Sequence, residues 1–192
     1  NNMDYLKAST YPIALAPMHN AIVTAGNFSQ GQSVLIQGAS SGVGLMGLQI
    51  SKYLGAKVVI GTSTKPDKFE KLKSFGADLV LNSKDLDWVD QVLSATDNQG
   101  VDLTIDQLSG YTVNQNMMAT KVKGKIVNVG RLAGGITEFN CDLHALRRIN
   151  YEGVTFRTRS IQEIRDVYSN MWNDFEKLVI SGELSLPIEK VF

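Results

Sequence analysis

The stretch that most constrains this chain is Ser33 to Ala56, SVLIQGASSGVGLMGLQISKYLGA. Three consecutive apolar residues, Val34, Leu35 and Ile36, precede a run of small residues from Gly38 to Gly44. Such an apolar run, with two β-branched members, fits a strand buried on both faces of a parallel sheet. Leu45, Leu48 and the segment Ile50 to Leu54 then place apolar side chains at helical spacing, and Gly55 supplies a stop. A strand, a small-residue turn and a helix in this order leave the first helix amides free and approachable. That geometry binds phosphate with help from the helix dipole, and the turn reads as the pyrophosphate grip of a dinucleotide fold. A literal G-x-G-x-x-G falls at Gly42, Gly44 and Gly47, but that register would put the tight turn inside the helix. The phase Ala39, Ser41, Gly44 keeps the turn between strand and helix, with Gly42 as an extra small residue.

A rival reading takes GASSG as the G-x-S-x-G elbow of a serine hydrolase, with Ser40 as nucleophile and Asp106 and His144 following in the expected order. Only about 30 residues precede the turn, too few for the several strands such a fold needs before its elbow. No HGGG-type segment supplies an oxyanion hole.

Beyond the turn, the pattern repeats. Further strands are expected at Lys57–Gly61, Asp78–Asn82, Val101–Asp106, Lys125–Val129 and Gly153–Phe156. Helices are expected from Pro12 to about Ala25, at Pro66–Phe75, Leu86–Ala95, Thr112–Thr120 and Asp142–Ile149, and from Ser160 to Ile180. The first carries an apolar face of Ile13, Leu15, Ala16, Ile22 and Val23, and Met117 and Met118 read as core filler. Strands alternating with helices are consecutive βαβ units. Right-handed crossovers make them an α/β doubly wound (Rossmann) fold, a six-stranded parallel sheet of order 3-2-1-4-5-6 with helices on both faces. Ligands on such sheets bind outside the carboxyl ends of the strands. The candidate residues there are the 39–44 turn, Thr62 to Lys68, Asn82, Asp106 to Ser109, and Gly130 with Arg131.

Bulk properties exclude several function classes. The 192 residues carry 19 Lys plus Arg against 19 Asp plus Glu, so no net charge draws the chain to nucleic acid. Apolar residues make up 43%, enough for a substantial core. No apolar run reaches the length of a membrane span and no signal peptide is visible. The single cysteine, Cys141, suits a reducing, cytoplasmic setting. Cys141, His19 and His144 are too few and too scattered for a structural zinc site, so no metal is expected.

The end of the second strand bears on the cofactor. NAD-binding folds place an acidic residue there to hold the ribose hydroxyls, yet Gly61, Thr62 and Ser63 include none. Thr62, Ser63 and Thr64 offer hydroxyls instead, and Lys65 and Lys68 offer positive charge. A 2′-phosphate needs such donors, so the expected cofactor is NADPH.

Taken in series, AGNFSQGQSVLIQGASSGVG, GLQISKYLGAKVVIGTS, FGADLVLN, GVDLTIDQLSG, GKIVNVGRLAGG, ALRRINYEGVTFRTRS and ISGELSLPIEKVF resemble the medium-chain dehydrogenase/reductase superfamily, in its zinc-free NADPH:quinone oxidoreductase branch. The resemblance spans about Ile13 to Phe192 and implies a dinucleotide-binding domain at 12–192 behind a flexible segment 1–11. On that reading the barrel-like catalytic domain of the family is expected to be absent from this chain. It implies pyrophosphate contacts from Ser41, Gly42 and Val43, and an adenosine-phosphate end at Thr62, Ser63 and Lys68. Asn82 would lie near the adenine, Leu108, Val129 and Gly130 beside the nicotinamide ribose, and Phe156 and Arg157 close to the nicotinamide. The family turn usually has a glycine where Ser41 stands, and many members have tyrosine where Ser83 follows Asn82. No catalytic residue is assigned; Arg131 is the one candidate near the nicotinamide, with a solvated loop arginine as its plainer role. The implied activity is hydride transfer from NADPH to a quinone or an α,β-unsaturated carbonyl, a small-molecule acceptor. The alternatives are the enoyl reductase module of a polyketide or fatty-acid synthase and a non-catalytic NADPH-binding module. A homodimer through the sixth-strand edge, Tyr151 to Thr158, is also implied, unless Arg157 and Arg159 protect that edge on a monomer.

Overall fold

Why three successive residues of the first strand can be apolar is visible in the computed structural model, which describes residues 5–188 and 190. Strand β1 (Ser33–Gln37) is buried along its whole length, at the centre of a six-stranded sheet. Val34 and Ile36 point into one core layer, with Leu15, Met18, Leu45, Leu48, Met171 and Phe175. Leu35 points into the opposite layer, with Ile60, Leu81, Trp88 and Val92. Alternate residues of one strand therefore feed two cores, and both must be apolar.

The other strands are β2 (Val58–Thr62), β3 (Leu79–Leu81), β4 (Val101–Asp106), β5 (Thr120–Asn128) and β6 (Asn150–Gly153). All pairings are parallel, in the order β3-β2-β1-β4-β5-β6 that the sequence predicts. Leu35 registers with Ile60 on one side and Thr104 on the other, so the order reverses at β1 and β4. The helices are α1 (Tyr5–Ala8), α2 (Tyr11–His19), α3 (Gly42–Tyr53), α4 (Phe69–Ser74), α5 (Trp88–Ser94), α6 (Val113–Ala119), α7 (Cys141–Arg147) and α8 (Ile161–Ser181). α8 opens on a capping box: Ser160 accepts from the Glu163 amide while the Glu163 carboxylate accepts from the Ser160 amide.

Some boundaries differ from expectation. The predicted helix Pro12–Ala25 is α2 followed by a π-helix, Asn20–Ala25. The widening starts three residues after Pro17, which has no N–H to give the ladder. Leu15, Ala16 and Ile22 are buried as expected, but Ile13 is 75% exposed. Met117 is core, whereas Met118 points outward. The sixth strand lies at Asn150–Gly153, not Gly153–Phe156. Arg148 ends α7 in the left-handed conformation, and the chain enters the sheet two residues later; after Val154 it bends away. The edge of β6 is thus four residues long, shorter than the Tyr151–Thr158 run.

The two ends of the described chain are stitched together. The Tyr11 hydroxyl donates to the Leu184 carbonyl (2.8 Å), and the Tyr168 hydroxyl to that of Pro12 (3.1 Å). The Gln49 side chain clasps Ser185 by both its backbone N–H and C=O, each at 3.0 Å.

Candidate dinucleotide site

The glycine turn follows β1 directly. Gly38 has a positive φ of 69°, which a side chain disfavours, and it lies beneath Leu108. The Ala39 amide then donates to the Thr62 carbonyl (2.8 Å), fastening the turn to the end of β2. Ser41 caps α3, its Oγ accepting from the Gly44 amide at 3.0 Å. A Cβ on Gly44 would stand 2.6 Å from the Ala39 Cα, so its bareness lets the helix lie against the turn. All three glycines of the literal G-x-G-x-x-G lie inside α3, and the phase Ala39, Ser41, Gly44 is the one that frames the turn. The amides of Gly42 and Val43 have no hydrogen-bond acceptor among the described residues. Space beside Gly42 is open, with only Leu186 Cδ1 near a would-be Cβ, at 3.8 Å. Free amides at a positive helix end, with room in front of them, fit a phosphate.

Beneath the turn lies a buried polar brace that the sequence did not reveal. Gln37 Nε2 donates to Asn116 Oδ1 (2.7 Å), and the Thr62 hydroxyl donates to Gln37 Oε1 (2.7 Å) while accepting from the Gly38 amide (3.0 Å). Gln37, Thr62 and Asn116 are fully buried. Thr62 thus faces inward and shapes the turn. Ser63 is buried too, its Oγ accepting from the Lys65 amide (3.2 Å). Of the three hydroxyl residues there, Thr64 is the exposed one. A polar residue closing an apolar strand, Gln37, was the available signal for this brace.

An open groove of about 710 Å³ runs past the turn. Ser40, Gly42 and Val43 line it with Lys68, Lys71, Ile13 and the segment Leu186–Ile188. Neither ammonium group has an ion-pair or hydrogen-bond partner among the described residues. Lys68 is where the sequence places it, but its companion is Lys71. Lys65 is exposed and does not line the groove. A short 3₁₀ turn, Pro66–Lys68, precedes α4 and sets Lys68 and Lys71 three residues apart on one face.

At the other end of the crevice the structure brings together Leu108, Val129 and Gly130. All three gather on Asp106: its carbonyl accepts from the Val129 (2.8 Å) and Gly130 (3.1 Å) amides, and its Oδ1 accepts from those of Leu108 (2.9 Å) and Ser109 (2.8 Å). Burial pushes the Asp106 carboxyl above the usual aspartate range, opposed by the Ser109 and Leu108 amides, Asn128 and Tyr151. Burial, reinforced by the Asp106 charge, in turn drives the Tyr151 phenol well above its ordinary value. Asn82, Phe156 and Arg157 do not join this cluster, whereas Arg131 lines a cleft beside it with Ser109, Asn128 and Tyr151. Asn82 is folded onto its own turn, bonded to Asp85 and the Lys84 amide. Phe156 packs on the main core under the Arg159 guanidinium, Arg157 is exposed, and Arg131 is an exposed loop residue.

The residues do not fit two other chemistries. No hydrogen bond links Ser40, Asp106 and His144: Asp106 is taken up as described, and the His144 ring packs on Phe139 at 5.3 Å. Among the described residues no three His, Cys, Asp or Glu side chains are grouped to hold a metal ion. No helix of the described residues is long and apolar enough to cross a membrane.

A parallel sheet reversing at β1 and β4, with a small-residue turn at that point, is the doubly wound architecture of dinucleotide-type folds. The family model described as zinc-binding dehydrogenase matches residues 42–175, and the chain belongs to that family as a cofactor-binding domain of the medium-chain dehydrogenase/reductase superfamily. Members of this family of oxidoreductases typically bind nicotinamide cofactors. The chain is 27% identical over 132 residues to the hybrid PKS-NRPS synthetase pynA of Aspergillus niger, covering 68% of this chain and 3% of the synthetase. It is 25% identical over 193 residues to the quinone oxidoreductase of Pongo abelii, covering 98% of this chain and 57% of that enzyme. The crystal structure of the CurK enoyl reductase superposes with a TM-score of 0.84 at 24% identity, covering all of this chain and 56% of that one. The chain therefore spans little more than half of its stand-alone relative and a small part of the synthetase.

Proposed function

We propose that this chain is the NADPH-binding domain of a zinc-free reductase that passes a hydride to a quinone or an α,β-unsaturated carbonyl. The observation that carries the reading is the groove in which the amides of Gly42 and Val43 lie beside Lys68 and Lys71, all four without a partner among the described residues, with no acidic residue at the end of β2. On this reading Ser41, Gly42 and Val43 hold the pyrophosphate, and Lys68 and Lys71 the 2′-phosphate. Asn82 lies near the adenine, Leu108, Val129 and Gly130 fix the nicotinamide ribose, and Phe156 and Arg157 flank the nicotinamide. Thr62 and Ser63 shape the turn rather than touch the cofactor. Bound NADPH supplies the hydride; the chain orients it and excludes water on one side. A wall for the acceptor would come from outside residues 12–192, so this chain alone should not oxidise NADPH in a quinone-dependent manner. The name of the Pongo abelii relative favours a quinone. The match to a stretch of a synthetase favours the second reading, an enoyl reductase module. A cytoplasmic homodimer paired along β6 completes the proposal, and sedimentation finding only monomer at high concentration would remove the pairing.

Titration of NADPH and NADH against the native chain, Lys68→Ala and Lys71→Ala tests the cofactor assignment. Each substitution should weaken NADPH about tenfold, the size of one charge-assisted contact, and leave NADH unchanged. Equal affinity of the native chain for the two cofactors would overturn it.

A further inference from the structure

We propose that Gln107 is a positioning residue for the dinucleotide, acting through Ser41; the idea rests on the NADPH-binding reading above. Gln107 follows β4 directly and is only 4% exposed. Its Nε2 donates to the Gln37 carbonyl (3.0 Å) and more weakly to that of Gly38 (3.4 Å). Both carbonyl oxygens can only accept, so they fix which end of the amide faces them. Oε1 is thereby turned toward the glycine turn, where it accepts the Ser41 hydroxyl (3.1 Å). The Gly38 carbonyl lies 3.2 Å from the same hydroxyl and shares its proton.

This fixes the polarity of the helix cap. With its proton held by Gln107 and Gly38, the Ser41 oxygen presents a lone pair to the Gly44 amide (3.0 Å). The Gly44 donor is consumed, and the Gly42 and Val43 amides are left as the outward pair. Gln107 also reaches the other end of the crevice. Its carbonyl accepts from the Leu132 amide (3.1 Å) and stands 2.6 Å from where a Gly130 Cβ would be. One buried residue therefore fixes the pyrophosphate turn relative to the Leu108 and Gly130 loops, the two places a dinucleotide must touch at once. A ligand that bridges both should feel its loss, whereas one that touches only the lysine end should not.

The test compares NADPH with adenosine 2′-monophosphate, which carries the 2′-phosphate but no pyrophosphate or nicotinamide. Gln107→Met keeps the volume and removes the hydrogen bonds. It should weaken NADPH about three- to tenfold, the worth of one to two net hydrogen bonds, with 2′-monophosphate affinity held within about twofold. Adding Ser41→Gly to Gln107→Met should cost much less than Ser41→Gly costs alone, because the two act as a pair. In the ligand-free Gln107→Met chain, hydrogen exchange at the Gly44 amide should quicken several-fold. Should Gln107→Met fail to fold, Gln107→Leu, which likewise removes both hydrogen bonds, carries the same ligand comparison. Unchanged NADPH affinity, equal loss of both ligands, or effects that multiply would each overturn the proposal. A native chain that binds neither ligand would sink the NADPH reading instead, and the Gly44 exchange rate would then decide alone whether Gln107 sets the cap.

Discussion

Replacing Gly44 and Gly42 separately by alanine separates the architecture of the turn from its binding role. Gly44 is the third residue of α3 and has a negative φ, so alanine suits its backbone and its helix propensity by up to about 1 kcal/mol. Against this, the new Cβ would stand 2.6 Å from Ala39 Cα and 2.7 Å from its carbonyl carbon and oxygen. Carbon atoms rest at about 3.5–4.0 Å, so the helix must back off by about 1 Å. The obstacle is backbone, which cannot rotate aside as a side chain would. Overpacking of this kind costs about 1–3 kcal/mol or more, and a rigid obstacle places Gly44→Ala near the upper end. For a chain of this size about 3 kcal/mol lowers Tm by about 6–12 °C. At Gly42 the Cβ meets nothing closer than Leu186 Cδ1 at 3.8 Å, so Gly42→Ala should melt within about 2 °C of the native chain. Its methyl group nevertheless enters the groove before the free amides and should weaken NADPH about tenfold by forcing the phosphate outward. Thermal unfolding of the three proteins, followed by cofactor titration of the two that fold best, makes the comparison. Gly44→Ala melting within about 2 °C of native, or Gly42→Ala proving the more damaging to stability, would refute the reasoning.

Three further outcomes are expected. Because burial raises the Asp106 pKa in the folded chain, its contribution is present below the ordinary aspartate range and is lost as pH rises through the raised value; Asp106→Asn should therefore gain stability relative to native as pH rises above the ordinary aspartate range in urea melts. Asp102 behaves oppositely. Burial alone would raise it, but Lys121 and the Ser33 amide and hydroxyl outweigh that and hold it low, so its contribution is present above the usual range and lost in acid. Asp102→Asn should cost about 1–3 kcal/mol near pH 7 and less near pH 3 by the same assay. Ser160→Ala should cost about 1 kcal/mol, read as a shift in denaturation midpoint, and Ser160→Gly only a few tenths.

The central fold was legible because burial on two faces leaves little choice. Val34, Leu35 and Ile36, followed at once by a small-residue turn and a helix, fit an interior parallel strand, and the later strands repeat the rhythm. The edge was less legible. β6 is Asn-Tyr-Glu-Gly, a half-exposed strand with no β-branched residue, and the nearby Val154–Phe156 drew the expectation downstream. The site divides similarly. The strand, small-residue turn and helix in sequence point to the turn amides, and the family resemblance points to Lys68. Lys71 required knowing that a 3₁₀ turn precedes α4, and the inward aim of Thr62 required Gln37 as its partner. Gln107 and Asn116, 70 and 79 residues from Gln37, are joined to it only by tertiary structure. No local pattern marks a glutamine that reaches across strands.

The stitching of Tyr11 to Leu184 and of Gln49 to Ser185 has a mechanical consequence. Ser9 and Thr10 on one side and Leu186 to Ile188 on the other flank the same groove as the glycine turn. Gln49 belongs to α3, so the Leu186–Ile188 segment beside the groove is anchored to the same helix whose first amides, those of Gly42 and Val43, open onto it. The border of the groove therefore travels with the helix end that faces it, and the width between them is held by one side chain clasping a backbone.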